Sequence, residues 1–382
     1  MKLNVVFLGC TQGYGYTFSA CNTKIEFMSR GLTELGNTCY IHNGLVGKND
    51  ISKSQYKYTS GIGYIVDYPQ HGNVHLSPFR NYNLLVSDLR RWRQDDAKNI
   101  VIVEAPYLPY YYLEIKAARK TFYKIVVISH EWLGSVVLSN KFREWMLHLY
   151  SCLFGYSVDA ILPISEYIIK KIDRFHKPFL KVPVEADFSR SPSSSLRKPY
   201  FLYCVMAEYL RVIKIVLDGF KEFCLQNSTY KLILVLAGSS EAIERVSEYM
   251  KKIGLSERVE IKSKLPYDEL LSLYSSASGL VVALDPSNKQ DEARFSQKIA
   301  EYLSSGTIII SNQVGEVKYY FKNKINIMMG EFSSLGFCNS FKWIAENPEK
   351  AASVGLAGYE LGKKEFDYKV CARRLNTFLA TL

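Results

Sequence analysis

The feature that most constrains this chain is the alternation of short apolar runs with amphipathic helical segments from end to end. Continuous Val- and Ile-rich runs with helices between them predict parallel strands that are buried on both faces of a sheet. In the first half we predict strands at Leu3–Leu8, Ile100–Val103, Lys124–Ser129 and Ala160–Pro163, and helices near Phe18–Leu35, Asn83–Trp92, Tyr111–Thr121 and Lys141–Phe154.

The alternation is interrupted by the polar stretch Ser189–Ser195 and then restarts, which is typical of a linker between two domains. The second half predicts strands at Phe201–Val205, Leu232–Leu236, Val259–Ser263, Leu280–Leu284, Thr307–Ile310 and Ile325–Met328. The chain is therefore expected to form an α/β protein with Rossmann-like domains at 1–185 and 199–362, a linker at 186–198 and a helical segment at 363–382.

The charge balance favours anionic partners. There are 48 Lys and Arg against 37 Asp and Glu, a net charge of +11, and such an excess suits phosphates, nucleotides, acidic membranes or nucleic acid. No nucleic-acid recognition motif accompanies the charge, so a nucleic-acid partner is not predicted. The first residues indicate a strand rather than a signal peptide, no run is long enough to span a bilayer, and the eight cysteines are scattered. We therefore expect a cytoplasmic protein with reduced cysteines.

A glycine-rich loop, Gly9–Thr17, follows the first predicted strand. Backbone amides at Gly13 and Gly15, beside the start of the next helix, suit contact with a phosphate. A turn that needs glycine only for its geometry is an equally good interpretation. A dinucleotide fingerprint would also need an acidic residue at the end of the second strand, and Asn43 stands there.

A second candidate is the segment Arg294–Gly306, where Ser296 is placed to cap a helix and Gly306 to end it. Lys298 and Glu301 are three residues apart and share one face of that helix. A cation near a helix start suits a bound anion, and a glutamate one turn later can accept two hydroxyls of a ribose. The alternative is a solvated Lys–Glu pair.

A third candidate is His130, in Ser129–Trp132, directly after a buried strand. Ligands of open α/β sheets bind at the carboxyl ends of the strands, so His130 is the best-placed histidine; a loop histidine packed on Trp132 is the alternative. The sequence has no Asp-x-Asp, H-E-x-x-H, G-x-S-x-G or P-loop motif and no clustered metal-ligand set. No metal or other cofactor is predicted.

The chain resembles the GT-B glycosyltransferases of family 4, the glycosyl transferases group 1, over nearly its whole length. The family's Lys, Glu-Tyr-Leu, Gly and Ile pattern is found here at Lys298, Glu301, Tyr302, Leu303, Gly306 and Ile309, followed by the turn Val314-Gly315-Glu316. The resemblance implies two Rossmann-like domains that face each other across a cleft, the first binding the acceptor and the second the nucleotide sugar. It also implies that the last helix crosses back to the first domain.

Two features depart from the family pattern. The family usually has two glutamates separated by seven residues, and Ala293 stands at the first position, with Glu292 one residue out of register. It also has an Arg and a Lys after the first strand of the second domain, where this chain has Met206 and Arg211. An altered donor sugar and a non-catalytic member both stay open.

The activity implied by the resemblance is transfer of a sugar from a nucleotide-diphosphate donor, with retention of configuration, to a glycan or lipid-linked acceptor. In this scheme Glu301 holds the ribose and His130 contacts the donor sugar or the acceptor. The groups expected at the diphosphate or elsewhere on the donor are Lys298, Arg211, Lys214, Gly13, Gly15, Ser296 and Gly315. A nucleotide-sugar 2-epimerase and a silent nucleotide-sugar-binding partner protein are the alternatives.

Basic residues interleaved with aromatics predict contact with an anionic membrane. Residues 1–180 contain 21 basic and 14 acidic residues, a net +7, which leaves 27 and 23, or +4, for the remainder. The basic residues surround Trp92 and flank Phe122 and Tyr123, and each cation near an anionic lipid surface contributes about 1 kcal/mol. We expect a peripheral protein at the inner face of the membrane; solvated helix faces are the alternative.

Overall fold

In a computed structural model the described residues are 1–11, 13–15, 19–104, 108–136, 139–189 and 197–382. The chain forms two compact units. The amino-terminal unit contains residues 1–185, 293–295 and 368–382, and the carboxy-terminal unit contains residues 186–292 and 296–367. Part of the predicted linker, residues 190–196, lies outside the described residues.

The amino-terminal unit is built on a sheet of seven strands, in the order β3-β4-β2-β1-β5-β6-β7. All pairs are parallel except β3 with β4. The strands are β1 (Lys2–Leu8), β2 (Thr38–His42), β3 (Gln55–Thr59), β4 (Gly63–Asp67), β5 (Ala97–Val103), β6 (Lys124–Ser129) and β7 (Ala160–Pro163). Its helices are α1 (Ala20–Glu34), α2 (Ser77–Trp92), α3 (Leu108–Lys120), α4 (Lys141–Leu153), α5 (Glu166–Ile172) and, from the end of the chain, α14 (Tyr368–Thr381).

The four strands predicted for this unit are present, and their apolar runs are buried on both faces, as in β6, where only Lys124 is exposed. The hairpin of β3 and β4 was not predicted. Its β3 strand, Gln-Tyr-Lys-Tyr-Thr, is exposed at the edge of the sheet and therefore lacks the apolar run that marks a buried strand. The predicted first helix begins at Ala20, and Phe18 lies outside the described residues.

The carboxy-terminal unit has a six-stranded parallel sheet in the order β10-β9-β8-β11-β12-β13. The strands are β8 (Lys198–Met206), β9 (Lys231–Ala237), β10 (Val259–Lys262), β11 (Ala277–Val281), β12 (Ile309–Ser311) and β13 (Met328–Met329). The helices are α6 (Leu210–Cys224), α7 (Ser240–Lys252), α8 (Tyr267–Ser276), α9 (Lys289–Ala293), α10 (Gln297–Ser304), α11 (Val317–Tyr320), α12 (Ser334–Glu346) and α13 (Pro348–Glu365). Each of the six predicted strands has a counterpart, but the predicted Leu280–Leu284 overlaps β11 only at Leu280 and Val281, and Ile325–Met328 overlaps β13 only at Met328. An aromatic cluster of Phe201, Phe220, Phe223 and Phe341 packs between β8, α6 and α12.

The helical segment predicted at 363–382 is divided between two helices, since α13 continues to Glu365 and α14 begins at Tyr368. On α14, Leu375 and Leu379 join the core that includes Leu3, Val5 and Phe7 of β1. Over the part of the chain that the structure describes, no helix combines the length and the apolar character needed to cross a membrane.

Candidate functional site

Helix α10 presents the candidate pair Lys298 and Glu301. Ser296 occupies the residue before the helix with extended backbone, as predicted, but its side chain makes no capping hydrogen bond. Gly306 has φ +68°, the left-handed conformation that glycine adopts readily after a helix end. Ile299 and Leu303 are buried, and Leu303 packs against Gly358 and Gly362 of α13 rather than facing the sheet as predicted, so the position of the pair on α10 is fixed by core packing.

Lys298 and Glu301 form a buried ion pair, not a solvated one. Nζ lies 2.7 Å from Oε2, and the side chains are 27% and 3% exposed. Burial alone would lower the pKa of the Lys298 ammonium, but the Glu301 carboxylate raises it above its ordinary value. The Lys298 ammonium therefore stays charged, and it also donates to the Tyr274 hydroxyl at 3.3 Å.

Two tyrosines join this pair to the sheet. The Cys204 amide of β8 donates to the Tyr302 hydroxyl at 3.1 Å, and the rings of Tyr274 and Tyr302 pack edge to face with centroids 4.8 Å apart. Cys204 lies two residues before the end of β8. The ion pair is thus held near the carboxyl end of the sheet, where α/β proteins bind ligands.

The other predicted donor residues of this unit have different partners. Arg211 forms an ion pair with Asp285, at 2.9 Å, and donates to Ser287 at 3.0 Å. The Lys214 ammonium lies over the Tyr249 ring of α7, 4.6 Å from the ring centre. Gly315 has φ +56° at the turn after β12.

Glu208 was missed by sequence reasoning. It follows β8, and its carboxylate accepts the Ser239 amide at 3.0 Å; backbone hydrogen bonds lower its pKa. A side-chain Cβ at Gly238 would lie 2.4 Å from Glu208 Oε2. The glycine after β9 therefore makes room for the Glu208 carboxylate.

In the amino-terminal unit, the described part of the glycine loop is organised by Asn43. Gly13 and Gly15 have φ values of +66° and +94°. Between them, the Tyr14 amide donates to Asn43 Oδ1 at 2.8 Å, and Thr11 donates to the same oxygen at 2.6 Å. The Tyr14 amide is thus already hydrogen-bonded within the protein. Gln12 and residues 16–18 lie outside the described residues.

His130 is buried, and its imidazole is paired with the carboxylate of Glu104. Its Nδ1 lies 2.8 Å from Glu104 Oε2. Burial lowers the pKa of the imidazole, but the Glu104 carboxylate more than offsets this and raises the pKa to about 9. Nε2 has no hydrogen-bond partner within the described residues.

The sequence did not reveal a group of potential metal ligands at this place. Among the described residues, Cys21, Glu104 and His130 bring a thiol, a carboxylate and an imidazole within 4.8 Å of one another. These are ligand types that zinc accepts. The Glu104–His130 distance is that of a hydrogen bond, however, and the nearby Lys24 ammonium lowers the pKa of His130. We assign the group as a charged hydrogen-bonded cluster.

Glu104 could have been found by the rule that identified His130. Each follows a buried strand, and β5 and β6 are neighbours in the sheet, so their carboxyl ends meet. Lys24, by contrast, is a buried residue in the middle of a helix, where its ammonium donates to the Val182 carbonyl at 2.8 Å. No local pattern distinguishes it from a surface lysine.

The aromatic residues of the predicted membrane patch need a correction. Trp92 and Tyr123 are core residues, 6% and 5% exposed, and Trp92 stacks on Tyr40 with ring centroids 4.6 Å apart. Only Phe122, at 82%, is exposed among the three. The period of α2 places Trp92 on the buried face with Leu85 and Leu89, whereas Arg90 and Arg91 point outward.

Two Rossmann-like units in one chain, with the final helix completing the first unit, define the GT-B fold. The family described as Glycosyl transferases group 1 matches residues 185–360. Residues 185–360 are thus similar to this family, and the predicted resemblance is confirmed.

Solved structures of the same fold cover the chain from end to end. The sucrose-phosphate synthase of Thermosynechococcus elongatus is 12% identical, with a TM-score of 0.77, over 100% of this chain and 99% of that one. Anabaena HepE, solved with UDP and glucose, is 11% identical with a TM-score of 0.74 over 100% of both chains. The pneumococcal O-GlcNAc transferase GtfA, in complex with UDP and GlcNAc, is 9% identical with a TM-score of 0.68, over 100% of this chain and 99% of that one. Curated protein sequences include no significant match.

Proposed function

We propose that this protein is a retaining glycosyltransferase that uses a nucleotide-diphosphate sugar. Its acceptor is a glycan or a lipid-linked glycan in cell-surface polysaccharide synthesis, and it acts in the cytoplasm at the inner face of the membrane. The family match over residues 185–360 supports transfer of a sugar. The similar folds of HepE and GtfA, both solved with UDP and a sugar, support the donor class.

The observation that carries the proposal is the buried pair of Lys298 and Glu301. Charged groups are rarely held in a protein interior unless they are paired or have a further role. Glu301 accepts the ribose hydroxyls, and Lys298 stabilises the negative charge that develops on the departing diphosphate. Arg211 contributes a second cation from the start of α6.

A panel of nucleotide sugars, scored by thermal shift and by product mass with candidate acceptors, tests the activity. Release of nucleotide with a glycosylated product is expected; interconversion of the sugar alone would indicate an epimerase. Glu301→Gln removes charge-assisted hydrogen bonds of roughly 1.5–3 kcal/mol, so nucleotide affinity should fall about ten- to hundred-fold. The matched control is Glu346→Gln, which breaks the exposed pair with Lys342 and should leave affinity unchanged. Unchanged affinity in Glu301→Gln would contradict the assigned role.

Cationic side chains balance the diphosphate in this proposal, so transfer should be independent of divalent metal. Activity is expected to survive dialysis against excess EDTA. Complete loss that manganese or magnesium restores would show that a metal, and not Lys298 and Arg211, stabilises the leaving group.

A silent nucleotide-sugar-binding partner is the second candidate. It is favoured by Ala293, which stands where the family has its first glutamate and whose carbonyl accepts the Ser165 hydroxyl at 2.5 Å. The nearby Glu292 is engaged with Lys318 at 2.9 Å. Nucleotide binding without turnover over the full panel would support this candidate.

A further inference from the structure

The Lys298 ammonium is held in two of its three donor directions. A lysine ammonium has three N–H donors and no acceptor; here one donates to Glu301 Oε2 at 2.7 Å and another to the Tyr274 hydroxyl at 3.3 Å. Within the described residues no other acceptor contacts this nitrogen. Because the nitrogen is tetrahedral, the direction of the third N–H is set once the other two are fixed. The side chain is 27% exposed, so a ligand can approach it.

The hydroxyl that receives one of these bonds is itself held rigidly. Tyr274 of α8 is 0% exposed, and its backbone carbonyl accepts the Thr307 hydroxyl at 2.7 Å. Its ring packs edge to face on Tyr302 of α10, with centroids 4.8 Å apart, and the Cys204 amide of β8 donates to the Tyr302 hydroxyl at 3.1 Å. The position of the Tyr274 hydroxyl is therefore set by two helices and a strand, which place a group more precisely than loops do.

A second partner orients the Tyr274 hydroxyl. The sulfur of Cys204 lies 3.6 Å from the hydroxyl oxygen. Since the Lys298 ammonium can only donate, the lone pairs of the oxygen point at Lys298 and its hydrogen is free to point at the sulfur, a weak acceptor. Burial raises the pKa of this hydroxyl, so Tyr274 stays neutral and serves Lys298 as an acceptor.

Glu301 offers a different group to a ligand. Its side chain is 3% exposed, and among the described residues only Oε2 is engaged, by the Lys298 ammonium. Oε1 is left to accept a hydroxyl of the ligand. The pair thus presents a cationic N–H and a carboxylate oxygen side by side, which suits a ligand that carries both an anionic oxygen and hydroxyls.

We propose that Tyr274 is a positioning residue, which together with Glu301 fixes the Lys298 ammonium so that its third N–H points at an oxygen of the nucleotide diphosphate. Tyr274 acts through Lys298 and does not touch the ligand. A charged donor that is fixed in advance needs no reorganisation when negative charge develops on the departing diphosphate. This inference rests on the proposed function for the identity of the ligand, but it concerns the phosphates alone and not the nucleoside.

The first experiment compares a nucleoside diphosphate with the same nucleoside without phosphates. Of ADP, CDP, GDP and UDP, the one that binds the full chain most tightly is used with its nucleoside, and both dissociation constants are measured by ligand-observed NMR. Tyr274→Phe keeps the ring and backbone contacts of Tyr274 but removes the acceptor. Its affinity for the diphosphate should fall about tenfold, as for a weakened charge-assisted hydrogen bond. Its affinity for the nucleoside should stay at the wild-type value.

Tyr200→Phe is the matched control. Tyr200 is 8% exposed, and its hydroxyl donates to the carbonyl of Leu273 at 2.7 Å, one residue before Tyr274. This variant also removes a buried hydroxyl that contacts α8, but one that has no contact with Lys298. Both dissociation constants should equal those of the wild type, and unfolding temperatures show that both variants are folded during the measurement.

Three results of these binding measurements would overturn the inference. The first is an equal loss of affinity for the diphosphate and the nucleoside in Tyr274→Phe, which would indicate a merely structural role. The second is the same selective loss in Tyr200→Phe. The third is that none of the four diphosphates binds the wild type, since the ammonium would then have no diphosphate to contact.

A double-mutant cycle tests whether Tyr274 acts through Lys298. Lys298→Gln removes the ammonium that Tyr274 is proposed to hold. Tyr274→Phe should therefore weaken diphosphate binding in the wild-type background and have no further effect in the Lys298→Gln background. If the two losses add, Tyr274 acts independently of the ammonium and the positioning role is wrong.

Transfer assays separate this inference from the proposed function. With a reactive donor and acceptor, kcat of Tyr274→Phe should fall about ten- to hundredfold, as expected when a catalytic group is misplaced, while KM for the acceptor is unchanged. If the binding results are as expected but no donor is turned over, the proposed function fails and the positioning role stands. If sugar is transferred but Tyr274→Phe matches the wild type in kcat and in diphosphate affinity, the function stands and the inference is wrong.

Discussion

Glu114 is a carboxyl group buried inside the amino-terminal unit. It lies on α3, is 2% exposed, and its Oε2 has no hydrogen-bond partner within the described residues. Gly9 packs against it so closely that a Cβ there would lie 3.0 Å from Oε1. Burial raises the pKa of this carboxyl group to about 8, so the folded protein holds it protonated at neutral pH.

Glu114→Gln should reduce the loss of stability of the amino-terminal unit as the pH rises from 5 to 8. Because the folded-state pKa is above the ordinary 4.5, the native state binds more protons than the unfolded state, and stability falls as pH rises from about 4.5 to 8. The slope is at most about 1.4 kcal/mol per pH unit. Urea unfolding at pH 5, 6.5 and 8 should show equal stability at pH 5 and a more stable variant at pH 8. Parallel curves at all three pH values would show that Glu114 does not titrate in this window.

At the residue scale, the sequence predicted the groups that follow a local rule. Strand ends and helix spacing singled out His130, Lys298 and Glu301, and their roles stay predictions. Glu104, Lys24 and Glu114 were not, because their partners come from distant parts of the chain, as Lys24 does with Val182. Nothing in the local pattern distinguishes such residues from solvated charges.

At the scale of elements, α1 and α14 pack in close contact at Gly31. A Cβ at Gly31 would lie only 2.4 Å from the Ala372 Cβ. Beside it, the rings of Phe27 and Tyr368 stack with centroids 5.5 Å apart, and the Tyr368 hydroxyl donates to Glu34 at 2.7 Å. Gly31 is therefore needed for the approach of the two helices.

Gly31→Ala should destabilise the amino-terminal unit although alanine is the better helix former. Overpacking of this kind typically costs about 1–3 kcal/mol, more than the roughly 0.5–1 kcal/mol that alanine adds. Calorimetry should show a lower unfolding temperature for this unit. The compensating variant Gly31→Ala/Ala372→Gly restores the space and should recover most of the loss; failure to recover would mean that the contact does not limit stability.

The helices and strands were predicted where burial requires a recognisable pattern of apolar residues in the sequence. The central strands are continuous apolar runs because helices cover both faces of the sheet. The exposed edge strand β3 alternates polar and aromatic residues, so it lacks the apolar run that identifies a buried strand. A turn of three residues, 60–62, connects it to the short strand β4.

At the scale of the whole molecule, we predict that the exposed face of α4 contacts an anionic membrane. Phe142 and Trp145 are 69% and 54% exposed, with ring centroids 6.0 Å apart, and Leu153 is exposed further along the helix. Lys141 and Arg143 flank the two rings. Cations beside exposed aromatic rings are typical of helices that lie in the membrane interface, and residues 1–180 carry most of the net charge, +7 of +11.

Liposome co-sedimentation should therefore show binding that rises with anionic lipid and falls with salt. Phe142→Ser/Trp145→Ser should abolish most of it, since the variant removes the apolar contact and keeps the charge. The matched control is Tyr319→Ser, at an exposed ring of the carboxy-terminal unit. Equal recovery in the supernatant with neutral and anionic vesicles at low salt would remove the membrane claim and leave a soluble acceptor.

The position of α14 in the chain sets an order of events during translation. The ribosome releases the entire carboxy-terminal unit before it releases residues 368–382, so the unit encoded second is the first whose residues are all present. Until then the core that includes Leu3, Val5 and Phe7 lacks Leu375 and Leu379 of α14. Part of this apolar core therefore stays open to water until synthesis ends, and a translational pause before Tyr368 would prolong its exposure.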